Sequence, residues 1–426
     1  LGPVLLVAWT WATTRRRPMS ASCSASTRAA AVYERLYNTP QRHGFHWPGR
    51  IVAGEGVLAG WLNGERPRGL AIIADAAFAD HPLVLAADAP LALVCREPRA
   101  EDAEAILRRI APSNPETVLA LGGGATLDIA KAVTAHLRHG SFAVRDVPRD
   151  GGAPALIAAP TTAGSGSETS RFFILADPAS RAKIATRAWS LVPDLTLLDP
   201  GLLAAAPPRL LLLGAFDAAI HLWETFIARG EKSSFTAALT LTHLPRILAV
   251  LPELAAGRPL SPAQRLALME ASAMAGVAIS NVRTGLMHTL GEALSAQVNL
   301  PHPATLRVFL APVMALYEHA VADDAAPLWR MADAVAPAGA PWSSDAFVAA
   351  WREAFGALKV DVAIAAAFEA TPPSLDALMA AVARDTTIAK ENPTPLDPGL
   401  LRLVAAAGLA VFQHPQAAHP AAVNAR

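Results

Sequence analysis

Four side chains in the second half of the chain are of types that bind transition metals. Asp217 and His221 lie four residues apart in the segment DAAIH, so on a helix they would share one face. His288 and His302 follow in apolar surroundings, fourteen residues apart. An Asp/His pair alone is also common as a surface or capping interaction, but burying all four polar groups without a common partner would be costly. The set therefore indicates a shared divalent metal ion.

The run of three glycines in LALGGGATLDIAKAV, residues 119–133, indicates a second kind of binding. Gly122, Gly123 and Gly124 stand between an apolar strand-like run and the start of a helix. A strand, a glycine turn and a helix N-terminus bring free backbone N–H groups and a partial positive charge to one point, which suits a phosphate or pyrophosphate. A plain tight turn between strand and helix is the alternative.

The segment APTTAGSGSETS, residues 159–170, is dense in hydroxyl groups and glycines and follows another strand-like run. Such a loop can offer backbone and side-chain donors to a nucleotide and its ribose. The order GSGSE over residues 164–168 does not satisfy the G-x-S-x-G pattern of a serine hydrolase, and no helix-forming stretch follows it. We therefore expect no nucleophilic serine here.

Asp75 closes the apolar run in RGLAIIADAAF, which places it at the carboxyl end of a predicted strand, ahead of the glycine turn. A carboxylate at that position can accept hydrogen bonds from an adenosine ribose and repel a 2′-phosphate. An ordinary strand-end Asp that caps a turn is the alternative.

The elements that must position these residues divide the chain into two parts. Over residues 50–198 short apolar runs alternate with helix-like stretches, which predicts a mostly parallel sheet covered on both faces, a doubly wound α/β domain. After LDPGLLAAAPPRL the chain turns to long Ala/Leu-rich helical segments, so the second part should be all-α. We place the boundary at Pro207 and Pro208, which gives an α/β domain over 19–207 and a helical domain over 208–426. The cleft between the domains is the expected ligand site.

Length and composition agree with two domains and exclude some classes of partner. A chain of 426 residues is too long for one compact core, and 53% of its residues are hydrophobic, which suffices for buried cores. The formal net charge is zero, so no global basic field exists for nucleic acid, and we expect no nucleic-acid partner. The two cysteines, Cys23 and Cys95, exclude a disulfide framework or a cysteine-built zinc site and predict a cytoplasmic protein.

The first eighteen residues are expected to lie outside the fold. The segment LGPVLLVAWTWATTRRRPMSAS has its apolar run before its arginines, the reverse of a secretory signal, and is too short to span a bilayer. Because Met19 follows the arginines, we interpret residues 1–18 as a non-native or disordered extension, with a surface amphipathic anchor as the alternative. No other stretch is continuously apolar for twenty residues, so we expect no membrane partner.

Taken together, these segments resemble the iron-containing, or group III, alcohol dehydrogenase family. The similarity covers most of residues 50–410 and runs through RIVAGEGVLAGWL, GGGATLDIAKA, PTTAGSGSE, KIATRAWSLVPDLTLLDP, DAAIH, HTLGEALSAQVNLPH and ENPTPLDPGLLRLVAAAG. The resemblance implies a nucleotide-binding α/β domain, an all-helical metal-binding domain and hydride transfer between a nicotinamide cofactor and an alcohol, aldehyde or ketone. A small-molecule substrate is the expected partner, and a homodimer is the assembly considered first.

The resemblance also implies roles for single residues. The pyrophosphate of NAD would lie against the glycine turn and the following helix, and Asp75 would favour NAD over NADP. The Asp and three His side chains described above would hold Fe²⁺ or Zn²⁺, both of which accept such a nitrogen and oxygen donor set. The ion would leave a position for the substrate oxygen. The cofactor contacts implied are Asp75, Gly122, Gly123, Gly124, Asp128 on the nicotinamide side, Thr161, Thr162 and Lys183.

Three positions depart from the family pattern. Ala125 stands where Ser is usual, Pro303 follows His302 where Gly is usual, and Glu292 occupies a position often held by His. The first change costs one hydrogen bond, about 0.5–1.5 kcal/mol. Glu292 lies four residues after His288, so a helix projects both toward the metal, and we expect both among the catalytic groups. Glu292 would orient a substrate hydroxyl or amine or relay a proton, with a fifth metal ligand or a solvated carboxylate as alternatives.

Two other functions are compatible with this architecture. A dehydroquinate-synthase-like cyclase, a lyase, uses NAD only transiently, but PTTAGSGSE and the pair Asp217 and His221 match the dehydrogenases instead. A catalytically silent member that retains only the fold is the second alternative, and the complete set of four metal-binding side chains argues against it.

Overall fold

The computed structural model describes residues 44–65, 67–95, 98–142, 152–177, 182–230, 232–384 and 392–413. The predicted extension over residues 1–18, Cys23 and the first part of the predicted α/β domain lie outside the described residues. Cys95 is a free, exposed thiol.

Eight described strands form two sheets. They are β1 (Ile51–Ala53), β2 (Leu70–Asp75), β3 (Leu91–Val94), β4 (Thr117–Gly122), β5 (Ala155–Pro160), β6 (Phe172–Asp177), β7 (Ala182–Arg187) and β8 (Leu195–Leu198). Six of them make one parallel sheet in the spatial order β1-β8-β5-β4-β2-β3, and β6 pairs with β7 as a separate antiparallel hairpin. In β4 and β5 five of six residues are buried, which accounts for their continuous apolar composition.

The helices that accompany the parallel sheet follow its strands in the chain. They are α1 (Val57–Glu65), α2 (Pro82–Ala86), α3 (Ala100–Ile110) and α4 (Gly124–His139). The helix α4 begins within the glycine run and ends at Gly140, whose φ of 72° is the left-handed conformation that glycine adopts at helix C-termini.

The second half of the chain is helical throughout its described residues. Its helices are α5 (Pro208–Ile227), α6 (Ser234–Ala255), α7 (Pro262–Asn281), α8 (Leu286–Ser295), α9 (His302–Tyr317), α10 (Ala322–Val335), α11 (Ser344–Ala357), α12 (Val360–Ala370), α13 (Leu375–Val382) and α14 (Pro398–Gln413). The helix α5 begins at Pro208, where a proline fits because the first turn leaves its N–H groups unpaired. The domain boundaries themselves stay a prediction.

Alternate strand residues pack on opposite faces of the sheet. Ile73 and Val118 lie in a core that includes residues of α3 and α4, whereas Ile72 and Leu119 lie in a core that includes residues of α1 and α2. A third, larger core fills the helical half. The predicted fold class is confirmed: a parallel α/β half with helices on both sheet faces precedes an all-helical half.

Within the described residues, two helices, α5 and α6, are long and apolar enough to cross a membrane by length and composition. Most of α5 is buried inside the protein, and α6 packs against α5, α7 and α10. The apolar character of α5 is therefore explained by its place in the core of the helical half.

Candidate active site

The carboxyl ends of β2 and β4 lie side by side at the point where the strand order of the sheet reverses. From this pair the chain runs outward to β3 on one side and to β5 on the other. Ala74 pairs with Leu121, so the next residues, Asp75 and Gly122, end their strands at the same level. In open α/β sheets the crevice at such a switch point is where ligands bind.

Asp75 caps the turn that follows β2. Its Oδ1 accepts a hydrogen bond from the Ala77 N–H at 2.9 Å. The structure therefore shows the capping interaction that the sequence left as one alternative. The carboxylate is half-buried at the switch point, and contact with an adenosine ribose stays a prediction.

Neighbouring side chains lie close to the backbone of all three glycines in the run. A Cβ on Gly122 would lie 2.5 Å from the Thr126 side chain, and one on Gly124 would lie 2.8 Å from Ser165 Oγ. On Gly123 a Cβ would approach Thr162 Oγ1 to 3.1 Å. Among the described residues no side chain caps the N-terminus of α4, which leaves its first N–H groups without a side-chain acceptor. The helix start thus meets the requirements for an anion site.

The segment that we call the serine loop, residues 161–171, is wedged between the two halves of the protein. Thr161 donates its backbone N–H to Gly122 O at 3.0 Å. A Cβ on Gly164 would lie 2.6 Å from Gly214 Cα on α5. Further along, Thr169 Oγ1 donates to Ala273 O on α7 at 2.6 Å. Sequence reasoning assigned this loop to the nucleotide alone and missed its packing between helices.

Two charged side chains of α4 hold the serine loop from the side of the sheet. Asp128 accepts hydrogen bonds from Ser167 Oγ at 2.5 Å and from the Ile174 N–H at 2.9 Å. The fully buried Lys131 ammonium donates to Ser170 O at 2.9 Å and to Phe172 O at 2.8 Å. Burial lowers the pKa of Lys131 to about 8. The structure thus shows Asp128 among the side chains that hold the serine loop. Its contact with nicotinamide stays a prediction.

Glu168 is a buried carboxyl group within the same network. Its Oε1 accepts a hydrogen bond from Ser272 Oγ at 2.9 Å, and Ser272 Oγ in turn accepts one from the Gly164 N–H at 2.7 Å. Burial raises the pKa of Glu168 to about 7, and Ser272 and the Lys131 ammonium oppose that rise. The loop therefore rests on a chain of buried polar contacts that joins α4 to α7.

Three of the four predicted metal-binding side chains meet in a buried cluster. Asp217 and His221 lie one turn apart on α5, and His288 lies in the first turn of α8. One donor atom of each lies within 4.8 Å of the others. Asp217 Oδ1 and His288 Nε2 are 3.6 Å apart, buried, and without a hydrogen-bond partner among the described residues. Buried polar atoms that converge in this way fit a shared cation.

His302 lies at the rim of this cluster. It is the first residue of α9, and its Nε2 lies 4.0 Å from Asp217 Oδ1. Its side chain is 29% exposed, compared with 3% for His288. Pro303 occupies the first turn of α9, where a proline costs no hydrogen bond, which explains why the chain tolerates this departure from the family pattern. The fourth predicted ligand thus lies beside the cluster of the other three.

The charges around the cluster favour a cation between carboxylates. Burial would raise the pKa of Asp217, but the neighbouring His221, His288 and His302 hold it well below its usual range. Burial lowers the pKa of His221 to about 4, so its ring is neutral at neutral pH, the form that ligates metals. Burial also disfavours a charged His288, yet Glu224 and Asp217 raise its pKa to about 10. A positive charge at this point is therefore stabilised from two sides.

Glu224 is the site residue that sequence reasoning missed. Its Oε2 lies 2.6 Å from His288 Nδ1, on the side of the ring away from Asp217. A signal was present in the sequence: Glu224 follows His221 by three residues and Asp217 by seven, so all three share one helix face.

The remaining predicted residues lie around these groups. Glu292 is half-buried on α8, one turn after His288, and its predicted role is untested. Thr161 is buried and Thr162 is half-buried in the serine loop. Lys183 is a residue of β7, and its side chain lies outside the described part of the structure.

The chain matches two models of one protein family. Residues 88–200 match the model for iron-containing alcohol dehydrogenase, and residues 212–397 match the C-terminal model of the Fe-containing alcohol dehydrogenase family. Together the two matches cover more than half of the chain and include the glycine run, the serine loop and the metal-binding side chains. Neither model describes a cyclase, so the dehydroquinate-synthase-like alternative is not favoured.

Individual relatives agree with this match. The chain is 32% identical over 221 residues to the probable alcohol dehydrogenase EutG of Escherichia coli (strain K12), covering 51% of this chain and about half, 55%, of that protein. It is 27% identical over 274 residues to the 1-propanol dehydrogenase PduQ of Salmonella typhimurium, covering 62% of this chain and 71% of that protein.

A solved structure shows the same fold. The sulfoacetaldehyde reductase of Bifidobacterium kashiwanohense, solved in complex with NAD⁺, superposes with a TM-score of 0.73. The superposition covers 86% of this chain and 98% of that one at 18% identity.

Proposed function

Because the chain belongs to the iron-containing alcohol dehydrogenase family, we propose that it is an NAD-linked oxidoreductase that interconverts an alcohol with the corresponding aldehyde or ketone. The observation that carries the proposal is the buried convergence of donor atoms from Asp217, His221 and His288 within 4.8 Å. Such a cluster beside the switch point of an α/β sheet combines the two parts that this reaction needs.

The helical half would hold the metal. Its ligands are Asp217, His221, His288 and His302, a nitrogen and oxygen set that accepts Fe²⁺ or Zn²⁺. When bound, the ion supplies Lewis acidity to the substrate oxygen, and the nicotinamide ring gives or takes the hydride. Asp217 and His288 are buried whereas the His302 side chain is 29% exposed, so substrate would approach past His302 at the start of α9.

The α/β half would hold the cofactor. No described side chain caps the start of α4 beside the glycine run, which supports binding of the pyrophosphate there. Asp75 would accept hydrogen bonds from the adenosine ribose and repel a 2′-phosphate, so we propose NAD rather than NADP. Asp128 would lie on the nicotinamide side, and Thr161, Thr162 and Lys183 keep the other dinucleotide contacts that the resemblance gives them. The NAD⁺ complex of the sulfoacetaldehyde reductase supports this choice of cofactor.

Within the cleft the chain's own residues would orient substrate and move a proton. His288 holds its Nε2 toward Asp217 and away from solvent. Glu292 follows one turn later on α8, where its carboxylate would accept a hydrogen bond from a substrate hydroxyl or amine or relay a proton to solvent. The relatives named as alcohol and 1-propanol dehydrogenases support a small primary alcohol or aldehyde as substrate.

The setting of the enzyme follows from the same features. The exposed free thiol of Cys95 suits a reducing compartment, so we propose a cytoplasmic enzyme. A homodimer is the proposed assembly.

A metal and substrate titration tests the proposal. The protein is purified anaerobically, stripped of metal, and assayed with added Fe²⁺ or Zn²⁺, using NADH with a panel of aldehydes and ketones and NAD⁺ with a panel of alcohols. We expect metal-dependent NADH consumption, loss of metal and turnover in His288→Ala, and a smaller loss of metal affinity in His302→Ala because that side chain is partly exposed. NADH should still bind both variants through the other half. Full activity without metal, or NADH binding with no turnover of any alcohol, aldehyde or ketone, would overturn the proposal.

A further inference from the structure

We propose that Glu224 is a positioning residue that orients His288 and fixes the start of α8 for metal binding, an inference that rests on the proposed function. Glu224 is only 2% exposed and lies on the helix face that carries Asp217 and His221. It lies one turn after His221 on α5, and its carboxylate contacts His288 Nδ1, so it acts through His288.

Three donors from the start of α8 converge on the Glu224 carboxylate. Oε2 accepts a hydrogen bond from the Gly285 N–H at 2.8 Å, and Oε1 accepts one from the Met287 N–H at 2.6 Å. His288 Nδ1 lies 2.6 Å from Oε2. The hydrogen bonds from the Gly285 and Met287 N–H groups hold the start of α8 in place. The ring of His288 is therefore oriented by the backbone that precedes it as well as by its own contact with Glu224.

The contact at Nδ1 also decides which imidazole nitrogen can bind a metal. A carboxylate is only an acceptor, so His288 Nδ1 must carry the hydrogen that it shares with Glu224. The other nitrogen, Nε2, faces Asp217 Oδ1 at 3.6 Å. A carboxylate behind a ligating imidazole fixes its tautomer and raises its basicity, and substituting such a partner typically lowers metal affinity 10- to 100-fold.

A carboxylate is required at this position because all three neighbours donate. A glutamine has the same shape, but its NH₂ group would face at least one of these N–H donors. The Glu224→Gln change therefore removes one of the two acceptor oxygens and the negative charge while it preserves volume.

Gly285 provides the room for this carboxylate. A Cβ on Gly285 would lie 3.0 Å from Glu224 Oε1 and 3.1 Å from its Cδ. The backbone of Gly285 is extended, with φ of −104°, so alanine is conformationally allowed. Gly285→Ala therefore pushes on Glu224 without changing its charge, which gives a second variant that acts through the same contact.

The experiment compares three variants of the full chain: Glu224→Gln, Gly285→Ala and Val250→Ala, a truncation of a buried core residue on α6 that controls for general destabilisation. Zn²⁺ affinity is measured by competition with a chelator, and the tautomer of His288 is read from ¹⁵N imidazole NMR of the Zn²⁺-loaded protein, with His288→Ala for assignment. NADH binding is followed by fluorescence.

We expect Glu224→Gln to weaken Zn²⁺ binding 10- to 100-fold and to lose the single Nδ1–H tautomer of His288. Gly285→Ala should weaken Zn²⁺ binding severalfold, and Val250→Ala should bind Zn²⁺ like the unchanged protein. All three should bind NADH with unchanged affinity. A merely structural role would alter folding stability but not the tautomer.

Two results separate a wrong role for Glu224 from a wrong metal site. If Glu224→Gln keeps both the Zn²⁺ affinity and the His288 tautomer, the positioning role is overturned, while a loss of Zn²⁺ in Asp217→Asn and His288→Ala would leave the metal site standing. If those two variants also keep their Zn²⁺ affinity, the metal site itself is wrong. Should Glu224→Gln fail to fold, unchanged Zn²⁺ affinity in Gly285→Ala would overturn the proposal.

Discussion

Gly276 on α7 lies in backbone contact with Gly166 of the serine loop. A Cβ on Gly276 would lie 2.2 Å from the Gly166 carbonyl oxygen and 2.2 Å from Thr169 Oγ1. Gly166 itself has a φ of 64°, a conformation that favours glycine. The loop that lies beside the proposed cofactor site is therefore held directly against the helical half that carries the metal-binding side chains.

This contact predicts that Gly276→Ala is destabilising. The added methyl group would overlap the Gly166 backbone and the Thr169 hydroxyl, so the loop must shift, and overpacking of this kind costs about 1–3 kcal/mol. Gly60→Ala on α1 is the matched control, because nothing lies within 4 Å of a Cβ there, and alanine should stabilise that helix by up to ~1 kcal/mol. Urea unfolding measures both effects. Equal unfolding free energies for the two variants would show that the contact does not constrain the loop.

Much of the fold was predictable because its causes are local. Alternation of apolar runs with helix-like stretches identifies a parallel α/β sheet, since strands buried on both faces must be continuously apolar. The four-residue spacing of Asp217 and His221 is likewise local, because on any helix it places both side chains on one face.

The rest depends on contacts between distant parts of the chain. Glu224 and His288 are 64 residues apart, and only the folded structure shows that their side chains meet. The Gly166 and Gly276 contact likewise joins a loop to a helix that spacing cannot relate. Asp75 illustrates a third case, since a capping carboxylate and a ribose-binding carboxylate have the same sequence signature at a strand end.

Asp75 predicts the cofactor preference, and its capping role dictates how to test it. Asp75→Asn keeps a side-chain acceptor for the Ala77 N–H but removes the charge that would repel a 2′-phosphate. We expect the ratio of NADPH to NADH dissociation constants to fall at least severalfold in Asp75→Asn, with little change in stability. Asp75→Ala, which also loses the cap, should in addition lose about 1 kcal/mol of stability. Fluorescence titration with both cofactors gives the ratio, and an unchanged ratio in Asp75→Asn would remove Asp75 from the ribose site.

Glu168 predicts a pH dependence of stability. Burial raises its pKa from 4.5 to about 7, so between these values the folded protein retains a proton that the unfolded chain has lost. The contribution of Glu168 to the free energy of unfolding is therefore fully present below about pH 4.5. It falls, by about 3 kcal/mol in all, as the pH rises toward 7. Lys131 is the charged group that faces Glu168, and its attraction opposes the shift.

Glu168→Gln should remove this dependence because the amide stays neutral and can still pair with Ser272. Urea unfolding at pH 5 and pH 7.5 should show the variant gaining stability relative to the unchanged protein at the higher pH. Glu369→Gln, an exposed position on α12, makes the same charge change without burial. A parallel response of Glu168→Gln and Glu369→Gln would contradict the assignment to Glu168.

Glu292 predicts a catalytic effect that is separate from metal binding. It lies on α8 one turn after His288, so it can project toward the cluster, but a second carboxylate ligand beside Asp217 would neutralise a divalent ion and weaken its pull on a substrate oxygen. We therefore expect Glu292→Gln to keep its metal content and to lower kcat/KM severalfold or more, with a changed pH–rate profile. Metal analysis and steady-state kinetics across pH check this. Loss of metal in Glu292→Gln would make Glu292 a ligand, and unchanged kinetics at every pH would make it a surface carboxylate with no part in the reaction.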